Sequence, residues 1–278
     1  MKTVETIEFI KLFVFLYGMY IDVHAHLDQY FFTEEQVDQV LKNAKENNVG
    51  LIITNGLNKE TNRHTLALAK KYPQIKAALG IYPWEAMMDD VKAGYYKEES
   101  INFDADEEIE FIKKHKHDIL AIGEVGLDRK NEHKTNKQIE IFEKFIELSK
   151  EIDKPLMVHS RKAEEEAINL LEKHYAKKVI MHCFSGKKSL WEKIKTNGWY
   201  CSIPTNCVKS EHFQQLIAYM PITQLFAETD SPFLSPFKDK RNEPAFVVET
   251  YKMIAKIKRM ELKEVENALF QNYQQVFL

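Results

Sequence analysis

His24 and His26 stand two residues apart, directly after the apolar run Met19-Tyr20-Ile21. A strand alternates its side chains between two faces, so both imidazoles leave on one side and can share a divalent ion. Taken alone, the pair reads equally well as two ordinary histidines leaving a strand, because a metal site needs convergent ligands. Four later residues offer that convergence: Glu124, His159, His182 and Asp230, each at or just beyond the end of a short apolar run. Four imidazoles and two carboxylates exceed what one tetrahedral ion takes. They suit two divalent ions about 3.5–4 Å apart, with Glu124 as the bridge, and such ions polarise a substrate oxygen and acidify a water. Asp230 is expected both to ligate and to accept the proton of that water.

Residues this far apart in sequence need elements that bring them to one place. A helix is expected over 33–47, opened by Thr33 and carrying Val37, Val40, Leu41 and Ala44 on one face. A strand over 50–54, a helix over 59–72 and a strand over 75–81 follow. The alternation continues with helices over 106–117, 135–151, 162–174, 187–196 and 211–220, and strands over 119–125, 155–159, 179–183, 199–203 and 224–229. Apolar strands alternating with amphipathic helices imply a parallel sheet covered by helices. Roughly eight strands in a chain of this length close a (β/α)8 TIM barrel, with an open doubly wound sheet as the structural alternative. No strand is followed by a GxGxxG turn, so a dinucleotide site has no support.

The barrel reading makes its own demand, since catalytic groups should lie at the carboxyl ends of the strands. His24 and His26 end the first strand, Glu124 the fourth and His159 the fifth, with His182 near the end of the sixth and Asp230 after the eighth. So many polar groups at one apolar mouth would be costly to bury without ions to satisfy them. Asp22 and Asp128 are candidates to orient ligating imidazoles, with turn or cap acids as the plain alternative. Arg129, Arg161, Lys162, Lys187 and Arg241 neighbour the strand ends and are candidates for an anionic substrate, although solvated charge is the default for any one of them. Residues 84–105 read as an insertion after the third strand that shapes access to the mouth, and 262–277 as a helix on the barrel exterior.

The 278 residues are 44% hydrophobic and 29% charged, as in an ordinary globular protein. A net charge of -3 excludes a broad basic face for nucleic acid, so any such contact must be local. The odd set Cys183, Cys201 and Cys207 points to a reducing compartment and a cytoplasmic protein. In residues 1–18, Glu5 and Glu8 argue against a signal peptide, and the apolar run is too short to span a bilayer. Ile7, Ile10, Val14 and Tyr17 fall at helical spacing, so 1–18 is expected to be a helical extension, or a start-site extension, ahead of one barrel domain over 19–278.

The stretches DVHAHLD (22–28), AIGEVGLD (121–128), PLMVHSR (155–161), VIMHCFSG (179–186), ETDSPFLSP (228–236) and RNEP (241–244) resemble, in this order, the TatD family of metal-dependent hydrolases. The resemblance covers the chain from Tyr20 onward. It implies a TIM barrel, His24, His26, Glu124, His159, His182 and Asp230 as metal ligands, and metal-dependent DNA hydrolysis, often exonucleolytic. Some members are linked instead to D-aminoacyl-tRNA deacylation. One departure stands in Gly80-Ile81-Tyr82-Pro83, where family members commonly carry histidine at the position of Tyr82. Tyrosine still donates a hydrogen bond to a phosphate oxygen but is no cation near neutral pH.

The expected function is therefore phosphodiester hydrolysis at single-stranded DNA ends, with Tyr82, Arg161 and Arg241 on the phosphate and Trp84 or Phe233 stacked on a base. An amide or ester substrate keeps the same site, and a non-catalytic metal-binding scaffold is the remaining reading. Histidine-rich ligation favours Zn²⁺ or Mn²⁺ over Mg²⁺. No membrane and no obligate protein partner is implied.

Overall fold

The computed structural model describes residues 18–83, 104–130 and 136–278. Eight parallel strands lie in the order in which they occur in sequence. They are β1 (Tyr20–Ala25), β2 (Val49–Asn55), β3 (Ile75–Leu79), β4 (Ile119–Gly126), β5 (Leu156–His159), β6 (Val179–His182), β7 (Tyr200–Pro204) and β8 (Leu225–Glu228). Helices pack outside them: α1 (Glu34–Glu46), α2 (Lys59–Lys71), α3 (Ala105–Lys114), α4 (Asn136–Ile152), α5 (Glu164–Lys173), α6 (Lys188–Thr196), α7 (Glu211–Tyr219), α8 (Val247–Lys258) and α9 (Leu262–Phe277). This is the (β/α)8 barrel expected from the alternation. Among the described residues no helix is long and apolar enough to cross a membrane. The expected helix over 1–18 falls outside the described residues but for Gly18, and so do Trp84 and all but the last two positions of the insertion over 84–105.

The local reasons are those of the sequence. Thr33 caps α1, its hydroxyl accepting from the Gln36 N–H while the Gln36 side chain accepts from the Thr33 N–H at 2.9 Å. Asn58 caps α2 in the same reciprocal way with Thr61. The apolar stripes of the helices and the outward side chains of the strands form one buried layer, with Phe142, Phe145, Phe184 and Trp199 among its largest members.

The inward side chains form a second cluster: Ile21, Val23, Leu51, Ile53, Ala78, Ala121, Met157, Ile180, Tyr200 and Phe226. Phe270, Tyr273, Val276 and Phe277 of α9 belong to it too. The last helix therefore does not lie on the outer wall as expected. It closes the amino-terminal end of the barrel, where Asn272 donates to the carbonyls of Ile222 and Leu225 at 2.8 Å. Helix α8 was not among the expected elements, although Val247, Tyr251, Ile254 and Ala255 repeat at helical spacing and are buried. Its Tyr251 hydroxyl accepts from the Ile21 N–H at 3.1 Å and donates to the Ile21 carbonyl at 3.2 Å.

The ring closes between β1 and β8 through a few bonds rather than a full ladder. An isolated parallel bridge joins Ala25 to Ser231. The Asp230 N–H donates to the His24 carbonyl at 2.9 Å and the His26 N–H to the Ser231 carbonyl at 2.7 Å. Asp22 completes this seam by accepting from the Thr229 N–H at 2.9 Å and the Thr229 hydroxyl at 2.5 Å.

Candidate metal centre and active site

The six side chains singled out by strand position meet at the carboxyl-terminal mouth. The Nε2 atoms of His24 and His26 are 3.2 Å apart and lie 3.6 and 3.4 Å from Oε2 of Glu124. Oδ1 of Asp230 is 3.7 Å from His24, 3.5 Å from His26 and 3.9 Å from His182. His159 reaches Oε1 of Glu124 with Nδ1 at 2.6 Å, and Nε2 of His182 is 3.8 Å from the same oxygen. The His24 and His182 rings stack at 3.7 Å. All are buried except His159 and Asp230, which are half-buried.

Backbone shape makes this approach feasible. Gly126 has a φ of +143°, and a Cβ there would come within 2.0 Å of the His159 carbonyl oxygen. A Cβ on Gly80 would come within 2.6 Å of the Glu124 carbonyl oxygen. A side chain at Gly126 would push apart the strands that carry Glu124 and His159, and one at Gly80 would push the end of β3 away from the strand that carries Glu124.

The second nitrogens decide which lone pairs face inward. Nδ1 of His26 donates to the Asn55 carbonyl at 3.0 Å, and Nδ1 of His182 donates to Oε2 of Glu228 at 2.9 Å. A neutral ring that donates from Nδ1 is bare at Nε2. The bare nitrogens of His26 and His182 thus face the carboxylates of Glu124 and Asp230, acceptor against acceptor. Nδ1 of His24 is buried without a hydrogen-bond partner among the described residues. Such a donor set fits a divalent cation, with histidine nitrogens and carboxylate oxygens in the types that zinc and manganese take.

Without a cation, protons supply the positive charge. Burial opposes charging His26, but the Asp230 and Glu124 carboxylates outweigh it and hold its pKa well above the ordinary value. His182 is likewise pushed up to about 9, burial being overcome by Glu228. Burial and the neighbouring His182 depress His24. Burial works against the ionised Glu124 and Asp230, yet His159 beside the first and His26 beside the second keep both carboxyls below their usual range. A divalent ion would compete with these protons for the same atoms.

One side of the cluster carries a polar shelf. Asp128 accepts from Nε2 of His159 at 2.9 Å and from Nε and Nη2 of Arg161 at 2.8 and 2.6 Å. The Tyr82 hydroxyl is 3.3 Å from the same carboxylate oxygen, 3.4 Å from His159 and 3.4 Å from Arg161. Tyr82 and Arg161 therefore stand beside a metal-ligand candidate, as expected. Arg241 does not join them: it donates to the Phe31 carbonyl and lies 4.1 Å over the Phe32 ring, on the rim. Arg129 is buried against Gln138 and Glu166, and Lys187 pairs with Glu165 at 3.0 Å. Asp22 holds the seam and the His24 backbone N–H rather than an imidazole, because its short side chain faces Thr229 across the closure. Burial raises its carboxyl to about 8.

Two contributors escaped the sequence reading. Glu228 orients His182, and its only signal was an acid inside an otherwise apolar strand. Phe31 packs edge-on against Phe233 at 5.3 Å, both rings facing His26 at 6.1 and 6.5 Å.

Over residues 21–278 the chain matches the family described as TatD related DNase. It belongs to the TatD family. An uncharacterized metal-dependent hydrolase of Methanocaldococcus jannaschii is 36% identical over 253 residues, covering 91% of this chain and 94% of the relative. Deoxyribonuclease TATDN3 of Homo sapiens is 31% identical over 264 residues, covering 92% and 94%. The crystal structure of YjjV, a TatD homolog from Escherichia coli, shares the fold with a TM-score of 0.76 at 24% identity, covering 93% of this chain and 97% of that one. A TatD-family hydrolase from Entamoeba histolytica gives 0.78 at 21% identity, with 94% and 98% covered. This TatD-family chain is thus a metal-dependent hydrolase, with several buried histidine and glutamate groups placed to bind metal.

Proposed function

We propose that this hydrolase cleaves phosphodiester bonds, as a deoxyribonuclease that shortens single-stranded DNA from an end. The observation that carries the reading is Arg161, a guanidinium 43% exposed and anchored on Asp128 directly beside His159 and Tyr82. A planar cation held at the edge of a metal centre suits the non-bridging oxygens of a phosphate. The human relative's name as a deoxyribonuclease supports the same substrate class.

In this reading His24, His26, Glu124, His159, His182 and Asp230 hold two divalent cations, Zn²⁺, Mn²⁺ or Mg²⁺. When bound, divalent ions supply a water of lowered pKa and stabilise negative charge on phosphate oxygens. Asp230 accepts the proton of the attacking water. Its side chain is 14% exposed against 3% for Glu124, which places it between the buried ligands and the opening. Arg161 and Tyr82 hold the phosphate, while Phe31 and Phe233 offer aromatic faces to a terminal base. Asp128 keeps His159 and Arg161 in a fixed relation. The barrel unit over 19–278 carries all of these groups, and free thiols at Cys183, Cys201 and Cys207 fit a cytoplasmic setting.

The test is hydrolysis of end-labelled single-stranded DNA by metal-stripped protein, with Mg²⁺, Mn²⁺ or Zn²⁺ restored, beside Asp230→Asn. Shortening from one end is expected only with metal, and the variant should lose roughly a hundredfold or more of the rate, the usual worth of a general base. Metal-loaded protein that cleaves no DNA with any ion would overturn the phosphodiester reading and direct the search to amide or aminoacyl-ester substrates.

A further inference from the structure

The opposite end of the barrel holds a cavity of about 480 Å³, well away from the ligand cluster. Its walls come from the first residues of β3 and β4, Lys154 two residues before β5, the end of α2 and the last turns of α9. The size falls in the range of small-molecule sites. Leu66, Ile75 and Phe277 give it an apolar side.

The charges in it are unbalanced. Lys76 and Lys154 are both half-buried there, with Lys70 and His117 on the rim. Lys76 shares the inward parity of Ala78 on β3, so its stem enters the barrel end rather than solvent. Among the described residues neither Lys76 nor Lys154 has an ion-pair or hydrogen-bond partner for its ammonium group. Burial depresses both, and no carboxylate offsets this at Lys76. Asp153 offsets part of the burial at Lys154, yet the nearby acids pair with other groups. Asp118 pairs with His115 at 2.8 Å and Asp153 pairs with Lys178 at 2.9 Å. A second observation is independent of the lysines: Tyr273 lines the cavity, and its buried hydroxyl has no hydrogen-bond partner among the described residues.

Native proteins rarely leave two half-buried ammonium groups without an ion pair in one hollow. We propose that this cavity is a second, non-catalytic binding site for a small organic monophosphate, its phosphate taken by Lys76 and Lys154 and its apolar or aromatic body seated against Leu66, Ile75 and Phe277. A phosphate dianion matches two ammonium groups that form no ion pair among the described residues, and the apolar wall gives the rest of the molecule a surface to cover. The site is independent of the phosphodiester reading, because none of its residues belongs to the metal centre.

Titration calorimetry on the full-length protein tests it, with deoxythymidine 5′-monophosphate, inorganic phosphate and thymidine as probes. Each is titrated into metal-loaded protein and again after chelation, so that binding at the metal mouth is recognised by its loss. The expected result is one monophosphate bound per chain whether or not metal is present. Affinity should fall at least tenfold in Lys76→Met and in Lys154→Met and stay unchanged in the exposed control Lys114→Met. Inorganic phosphate should bind at least tenfold more weakly than the monophosphate, and thymidine should not bind measurably. Monophosphate should also raise the melting temperature of the wild type but not of Lys76→Met, which checks that both fold. Metal-independent binding that is absent, or equal in wild type and both lysine variants, would overturn the site. Equal affinity for inorganic phosphate and monophosphate would overturn the organic body.

Discussion

Nδ1 of His182 lies 2.9 Å from Oε2 of Glu228, both residues buried, while the other oxygen of Glu228 accepts the Cys183 N–H at 3.1 Å. One carboxylate thus fixes both the ring of His182 and the backbone just after it, leaving Nε2 to face the cluster. In Glu228→Gln the amide can present an N–H to the ring and reverse its tautomer. Metal affinity should fall roughly 10- to 100-fold, as is usual for groups that orient ligating histidines. Metal titration followed by calorimetry checks this, with circular dichroism to confirm the fold, and an unchanged affinity would remove Glu228 from the site.

Arg161 separates charge from shape. In Arg161→Lys the charge stays but the fork that grips Asp128 through Nε and Nη2 is gone. The KM for DNA should rise roughly tenfold or more, the worth of one charge-assisted hydrogen bond, with a smaller change in kcat. Steady-state kinetics with a short oligonucleotide give the split, and wild-type KM in the lysine variant would sink the phosphate role.

Gly126 is a test of backbone need. Its φ is +143°, and a methyl group on its Cα would sit 2.0 Å from the His159 carbonyl oxygen, which leaves no room for a side chain. Gly126→Ala should cost about 1–3 kcal/mol from the strained conformation alone, and more from displacing β5. Denaturant unfolding measures it; a loss below the lower bound would mean that the strand shifts freely.

Lys76 makes stability depend on pH in a set direction. Burial lowers its pKa from 10.5 in the folded chain, so the unfolded chain binds the proton more tightly and stability rises as pH climbs through the folded value toward 10.5. Lys70, Lys154, His117 and Asp118 line the same cavity, but burial alone sets the direction of the shift at Lys76. Lys76→Met should therefore raise the melting temperature at neutral pH, with the gain shrinking as pH approaches 10.5. A gain that is constant with pH would show that packing, not charge, is responsible.

How far the chain could be read follows from what each signal encodes. Strand position located the six cluster residues, because parallel strands in a barrel all point one way and their ends share one mouth. Arg161 was found by the same logic, and Tyr82 by its standing where the family resemblance places a histidine. Arg241 was not placed well by it, since a loop residue beyond β8 can turn to the rim, and here the Phe32 ring and Phe31 carbonyl hold it there. The pattern of α9 showed an apolar face but not what covers it, so the closed barrel end stayed hidden. Glu228 and Asp22 were misjudged or missed because partner choice for a buried acid is set by atoms brought from 46 and 207 residues away.

The β1–β8 seam has a consequence for how the protein comes into being. Its bonds unite His24 and His26 with Asp230, so the candidate metal centre exists only once the first and last strands have met. Contacts of such sequence separation form late, after most loop-closure entropy has been overcome. A growing or partly folded chain therefore carries every one of these side chains yet has no assembled cluster, and metal capture by the proposed site is expected only from the finished ring.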